Sequence, residues 1–98
     1  MTENTSPQVV HVLVVDDQRL MRDGIASLLS IQDGIKVVGT ATNGQEALKQ
    51  VQALQPEVIL MDLRMPIMDG VAATRQICAQ FPKSKVLMLT TFDDEEYI

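Results

Sequence analysis

Three aspartates stand at the ends of apolar runs. Asp16 and Asp17 follow directly on Val9 to Val15 (VVHVLVV), and Asp62 follows directly on Val58 to Met61 (VILM). A further run, Lys85 to Leu89 (KVLML), ends in Thr90-Thr91. Carboxylates packed together repel one another, and a hard divalent cation removes that conflict. Mg²⁺ takes oxygen ligands in octahedral geometry at ~2.0–2.1 Å and keeps several waters. One or two direct carboxylates and a backbone carbonyl suit it, and the loop after Asp62 can supply the carbonyl. An aspartate is also a nucleophile toward phosphorus, giving an aspartyl phosphate. That transfer needs positioning and charge neutralisation rather than further covalent help. The Thr90 hydroxyl is a donor suited to a phosphate oxygen.

The elements that would position these groups follow from periodicity. Val9–Val15 predicts a strand buried on both faces. Met21, Ile25, Leu28 and Leu29 are spaced as the apolar stripe of a helix that ends near Ser30 to Gly34. Ile35–Ala41 predicts a second strand. Asn43 with Glu46 three residues on is an Asn version of the capping box. Ala47, Leu48, Val51 and Leu54 form the stripe of a second helix, stopped by Pro56. Val58–Met61 is a third strand. Leu63 to Gly70 (LRMPIMDG) is a loop by its Pro and its Asp-Gly pair. Val71, Thr74, Ile77, Cys78 and Phe81 mark a third helix, which Pro82 ends. Lys85–Leu89 is a fourth strand, and Asp93 to Glu96 open a fourth helix.

This βαβαβαβ alternation predicts an α/β fold, a doubly wound parallel sheet with right-handed crossovers. Ligands of such sheets bind beyond the carboxyl ends of the strands, where the strand order switches. A flavodoxin-like (CheY-like) order 2-1-3-4 makes the first, third and fourth strands neighbours and gathers the acids in one crevice.

Composition limits the alternatives. The 98 residues allow one small domain, 46% hydrophobic and 21% charged, which are globular values. With a net charge of −5 and no basic stripe, direct DNA binding by this chain is not expected. The single cysteine, Cys78, suits a reducing cytosol. No apolar run approaches the ~20 residues of a membrane span. Residues 1–8 are polar and are expected to be a disordered tail, with the domain over 9–98.

The blocks VLVVDDQRLMRDGIASLL, ATNGQEAL, VILMDLRMPIMDGVAATRQI and VLMLTTFDDEEYI resemble, in order and spacing, those of a response-regulator receiver domain. The flavour is similar to the NarL/FixJ subfamily, whose members usually carry a LuxR-type helix-turn-helix output domain. The resemblance covers Val9 to Ile98. It implies that Asp62 is the phosphoacceptor, that Asp17 is the direct Mg²⁺ ligand, and that Asp16 acts directly or through water. It implies that Arg64 offers its backbone carbonyl to the metal and that Thr90 follows the phosphoryl group as the switch residue, with Thr91 beside it. Arg64 and Phe92 sit where side chains modulate autodephosphorylation. Neither orients water well, so a fairly persistent phosphoryl group is expected.

Receivers run to roughly 120 residues, within the usual size of one domain. The expectation is therefore a C-terminally truncated receiver, without the fifth strand and fifth helix and without the lysine and switch aromatic of that region. Uncovered apolar surface and an exposed edge strand would then favour self-association, as a dimer or larger and possibly with exchanged elements. The other implied partner is a sensor histidine kinase. DNA is implied only through the absent output domain, and no membrane is. The expected location is cytoplasmic.

Two other functions compete. Haloacid-dehalogenase-like phosphatases also use an Asp after a strand, but they want a second acid two residues on, where this chain has Arg64. A receiver fold used purely for interaction would not need its acids. No Gly-x-Gly-x-x-Gly follows the first strand, which argues against a dinucleotide site. The remaining candidates have plainer readings. Asp16-Asp17 in isolation could be helix-capping acids. Asp69-Gly70 suits a turn and cap, and Pro66 shapes the loop. Asp93 to Glu96 suit a solvated first turn. Cys78 is expected in the core, and so is packing for Met61, Met65 and Met68. His11 is expected to be structural or surface-facing.

Overall fold

The computed structural model describes residues 9–62 and 70–89. Their elements are β1 (Val10–Val15), α1 (Arg19–Ser30), β2 (Ile35–Ala41), α2 (Gly44–Leu54), β3 (Val58–Asp62), α3 (Gly70–Gln80) and β4 (Lys85–Leu89). Among the described residues the four strands form one sheet in the order β2-β1-β3-β4, and every pairing is parallel. This is the flavodoxin-like arrangement that the alternation implied. β1 lies inside the sheet, and Val12 to Val15 are all buried. A β-branched run without alternation is what a strand covered on both faces requires.

Each face has its own cover. Leu13 and Val15 of β1 and Ile59 and Met61 of β3 form one buried cluster with Ala47 and Val51 of α2 and Ala73 and Ile77 of α3. Alternation turns Val12 and Val14 to the opposite face. α1 packs on β1 and β2. None of its residues is fully buried. Ile25 and Leu29 are half-buried, whereas Leu28 is 65% exposed and Met21 45%. The expected stripe is thus covered on one side only.

The α2 cap forms as its sequence suggests, with one difference. The Glu46 amide donates to Asn43 Oδ1 at 2.8 Å. The Glu46 carboxylate, however, accepts from the amide of Thr42 at 2.8 Å and from its hydroxyl at 3.2 Å, one residue before the cap. α2 ends at Gln55, a left-handed C-cap with φ 50°, whose amide donates to the Val51 carbonyl. Pro56 follows, fully buried. Its carbonyl accepts from the buried Ser84 hydroxyl at 2.6 Å, which ties the turn before β4 to the turn before β3.

α3 corrects the expected helix phase. Its buried positions are Gly70, Ala73 and Ile77, so Val71 is 45% exposed and Cys78 is exposed rather than core. Small residues at 70 and 73 let the helix backbone approach the sheet. That choice of face rotates Cys78, one residue past Ile77, toward solvent. β2 carries a second feature absent from the pattern. Its pairing with β1 shifts between Val12 and Leu13, passing from Val37 to Gly39 and leaving Val38 as an extra residue. Gly39 lies under α2, where a Cβ would stand 2.8 Å from Leu54 Cδ1.

Candidate metal and phosphoacceptor site

β1 and β3 are adjacent, and Val15 pairs with Met61. The next residue on each strand is an aspartate, so Asp16 and Asp62 emerge side by side at the carboxyl end of the sheet. Asp17 follows in the turn to α1. The three residues each offer one carboxylate oxygen within 4.8 Å of the others. Asp16 is buried, Asp62 half-buried and Asp17 exposed, which grades the cluster from core to solvent.

Asp16 is held on every side but one. Its amide donates to the Ala41 carbonyl at 3.1 Å. Its Oδ1 accepts the Gln18 amide at 2.9 Å. Its carbonyl accepts from Arg22 Nη1 at 3.0 Å. Oδ2 has no hydrogen-bond donor among the described residues, although Asp16 is only 6% exposed. A charged carboxylate this deeply buried is costly to keep unless it is paired, and a cation offsets that cost. The plainer reading of the acid pair as helix caps does not describe this turn. The N-cap of α1 is Gln18, with no side-chain cap bond.

The donor set fits Mg²⁺. All three ligands are hard oxygens, and two ligands placed trans on such an ion stand about 4.2 Å apart. A cluster whose oxygens lie within 4.8 Å can meet one ion with a small movement, or with one carboxylate acting through a water. Asp16, Asp17 and Asp62 are the residues that would hold it.

Other sequence candidates are placed differently. His11 is exposed on β1, and its amide donates to Glu57 Oε1 at 3.0 Å. Met61 is fully buried. Arg64, Thr90, Thr91 and Phe92 lie outside the described residues, as do Met65, Pro66, Met68, Asp69 and Asp93 to Glu96. A groove of about 420 Å³ lined by Val51, Gln55, Glu57, Phe81, Lys83 and Ser84 lies at the opposite end of the sheet. The switch-point rule places no ligand there. Sequence reasoning missed Arg22 and the Ala41 carbonyl. Neither carries a motif of its own, and only the close packing of the β1–α1 turn against β2 gives them a role.

A parallel sheet of this order, with acids converging beyond β1 and β3, places this chain among flavodoxin-like α/β folds with a candidate metal cluster at the switch point. The chain matches the response regulator receiver domain family over residues 12–98, and it belongs to that family, the receivers of two-component systems. It is 44% identical over 90 residues to the transcriptional regulatory protein LnrK of Bacillus subtilis, covering 92% of this chain and 41% of that protein. It is 48% identical over 89 residues to the response regulator protein VraR of Staphylococcus aureus, covering 91% of this chain and 43% of that one. Among solved structures it resembles the signal receiver domain of a Mycobacterium tuberculosis protein designated the response regulator NarL. That likeness has a TM-score of 0.83 at 36% identity, over 92% of this chain and 73% of the other. The chain therefore spans less than half the length of these curated relatives.

Proposed function

We propose that Asp62 is the phosphoacceptor of a response regulator and receives its phosphoryl group from a sensor histidine kinase. The observation that carries this reading is the convergence of Asp16, Asp17 and Asp62 at the carboxyl ends of β1 and β3. One Asp62 carboxylate oxygen attacks phosphorus, the bond from phosphorus to the donor breaks, and an acyl phosphate forms. Mg²⁺, when bound, supplies neutralisation of charge on the transferring group. Asp16 and Asp17 would hold the cation beside Asp62, and the backbone carbonyl of Arg64 is the further ligand that the family resemblance implies. The Thr90 hydroxyl donates to a phosphoryl oxygen and moves with it.

The modified side chain carries a charge of about −1.5 to −2 in place of the carboxylate's single negative charge, which biases the surface following β4 toward new partners. Joined to an output domain that binds DNA, this switch would govern that domain, in keeping with the transcriptional role in the name of its LnrK relative. The chain is then a phosphoacceptor rather than an enzyme with turnover, and it works in the cytoplasm. Among the described residues no helix is long and apolar enough to cross a membrane. Self-association belongs to the same proposal. The apolar surface of and just after α1 that a second copy would cover holds Leu20, Leu28 and Ile31, which are 89%, 65% and 76% exposed.

Incubation with acetyl phosphate and Mg²⁺, followed by intact mass measurement, tests the central claim. The expected result is a gain of one phosphoryl group that disappears in Asp62→Ala and on chelation of the metal. Release of phosphate from an ester over many turnovers would instead support the phosphatase reading. No mass gain under any condition would leave an interaction module.

A further inference from the structure

We propose that Arg22 is a positioning residue for the cation site, acting through the backbone of Asp16. This rests on the metal reading given above and adds a residue to it.

Arg22 lies in the first turn of α1, with its amide donating to the Gln18 carbonyl at 2.9 Å. A cation there opposes the helix dipole, which favours acids at this end. α1 has no acidic residue in its first turn and no side-chain cap. Its two basic residues in this region solve the conflict differently. Arg19 pairs with Asp23 one turn on, at 3.5 Å, in an exposed contact. Arg22 is half-buried and turns back to the strand end, where Nη1 donates to the Asp16 carbonyl at 3.0 Å.

That bond completes the restraint on Asp16. Its amide is fixed by Ala41, its Oδ1 by Gln18 and its carbonyl by Arg22. The carbonyl is the one of these three whose partner is a side chain, and so the one that substitution can remove without touching the backbone. It also belongs to the peptide that leads into Asp17. Anchoring it sets the direction in which the exposed Asp17 carboxylate leaves the turn. Arg22 thus orients two ligands without touching the ion.

The direction of the effect separates this role from a simple charge effect. A positive group near a cation site repels the cation, so losing the charge alone tightens binding. Losing a positioning contact weakens it, and outer partners of metal ligands are typically worth 10–100-fold in affinity.

The test is direct Mg²⁺ titration of the full-length protein by calorimetry, with thermal melting of each variant alongside. Arg22→Gln is expected to weaken Mg²⁺ binding about tenfold. Arg22→Lys, which keeps a donor on a shorter reach, is expected to fall between it and the wild type. Unchanged or tighter binding in Arg22→Gln, with the wild type binding normally, overturns the inference and leaves the metal reading intact. A wild-type protein that gives no Mg²⁺ isotherm overturns both. If Arg22→Gln does not fold, Arg22→Lys decides: weaker binding at an unaltered melting temperature supports the role, and wild-type affinity overturns it.

Discussion

Asp16 and Asp17 are neighbours in sequence with unlike positions. Asp16 is buried and already spends one oxygen on the Gln18 amide, whereas Asp17 is exposed. Their amides of substitution should therefore behave differently. Asp17→Asn removes a like charge from the cluster, and without metal it is expected to leave the melting temperature unchanged or raised. With Mg²⁺ it should lose the stabilisation that ligand binding confers on the wild type, about 2.7 kcal/mol at a hundredfold excess over Kd. Asp16→Asn should lose the same metal effect, and without metal it should gain less than Asp17→Asn, since the Gln18 amide then bonds a neutral and weaker acceptor. Paired thermal melts with and without Mg²⁺ check both. The acids themselves were legible in the sequence, because each ends an apolar run. The groups that restrain them were not, because a carbonyl at Ala41 and a guanidinium at Arg22 leave no pattern in residue type.

At the scale of elements, the parallel strands and the Asn43 cap could be anticipated to within a residue or so. Both depend on local composition. β1 begins at Val10 rather than Val9, and β3 runs on to include Asp62. The face that α3 buries could not be anticipated in the same way. The sequence offered Val71 and Cys78 as apolar, but tight approach to the sheet favours Gly70 and Ala73, and a hydrophobicity pattern is blind to that preference. The extra residue in β2 escaped for a similar reason, since a bulge alters register without altering composition. Two substitutions probe the joints between elements. Ser84→Ala strips the buried Pro56 carbonyl of the hydroxyl that donates to it at 2.6 Å. It is expected to cost about 1–3 kcal/mol in chemical denaturation. Gln55→Gly relieves a non-glycine residue at φ 50° and is expected to add about 1 kcal/mol. In a thermal melt that gain reads as a rise of roughly 4–8 °C.

At the scale of the whole molecule, exposed apolar residues lie on α1 and on β4. Leu87 is 57% exposed, pairs with Leu60 of β3, and shares its face of the sheet. If copies associate through the α1 stripe, Leu28→Lys should shift light scattering toward the monomer. A surface substitution of this kind should change stability by no more than about 0.5 kcal/mol. Unaltered scattering would place the contact elsewhere. Strand alignment has a consequence of a different kind. Asp16 and Asp62 belong to distant stretches of chain, and only the rung that joins Val15 to Met61 brings them abreast. Sliding β3 by one residue would carry Asp62 about 3.3 Å along the sheet and turn the fully buried Met61 outward. Cation affinity therefore works as a gauge of β-sheet alignment. An insertion of a single residue within Val58–Met61 would silence the chemistry even in a chain that still collapsed around its core.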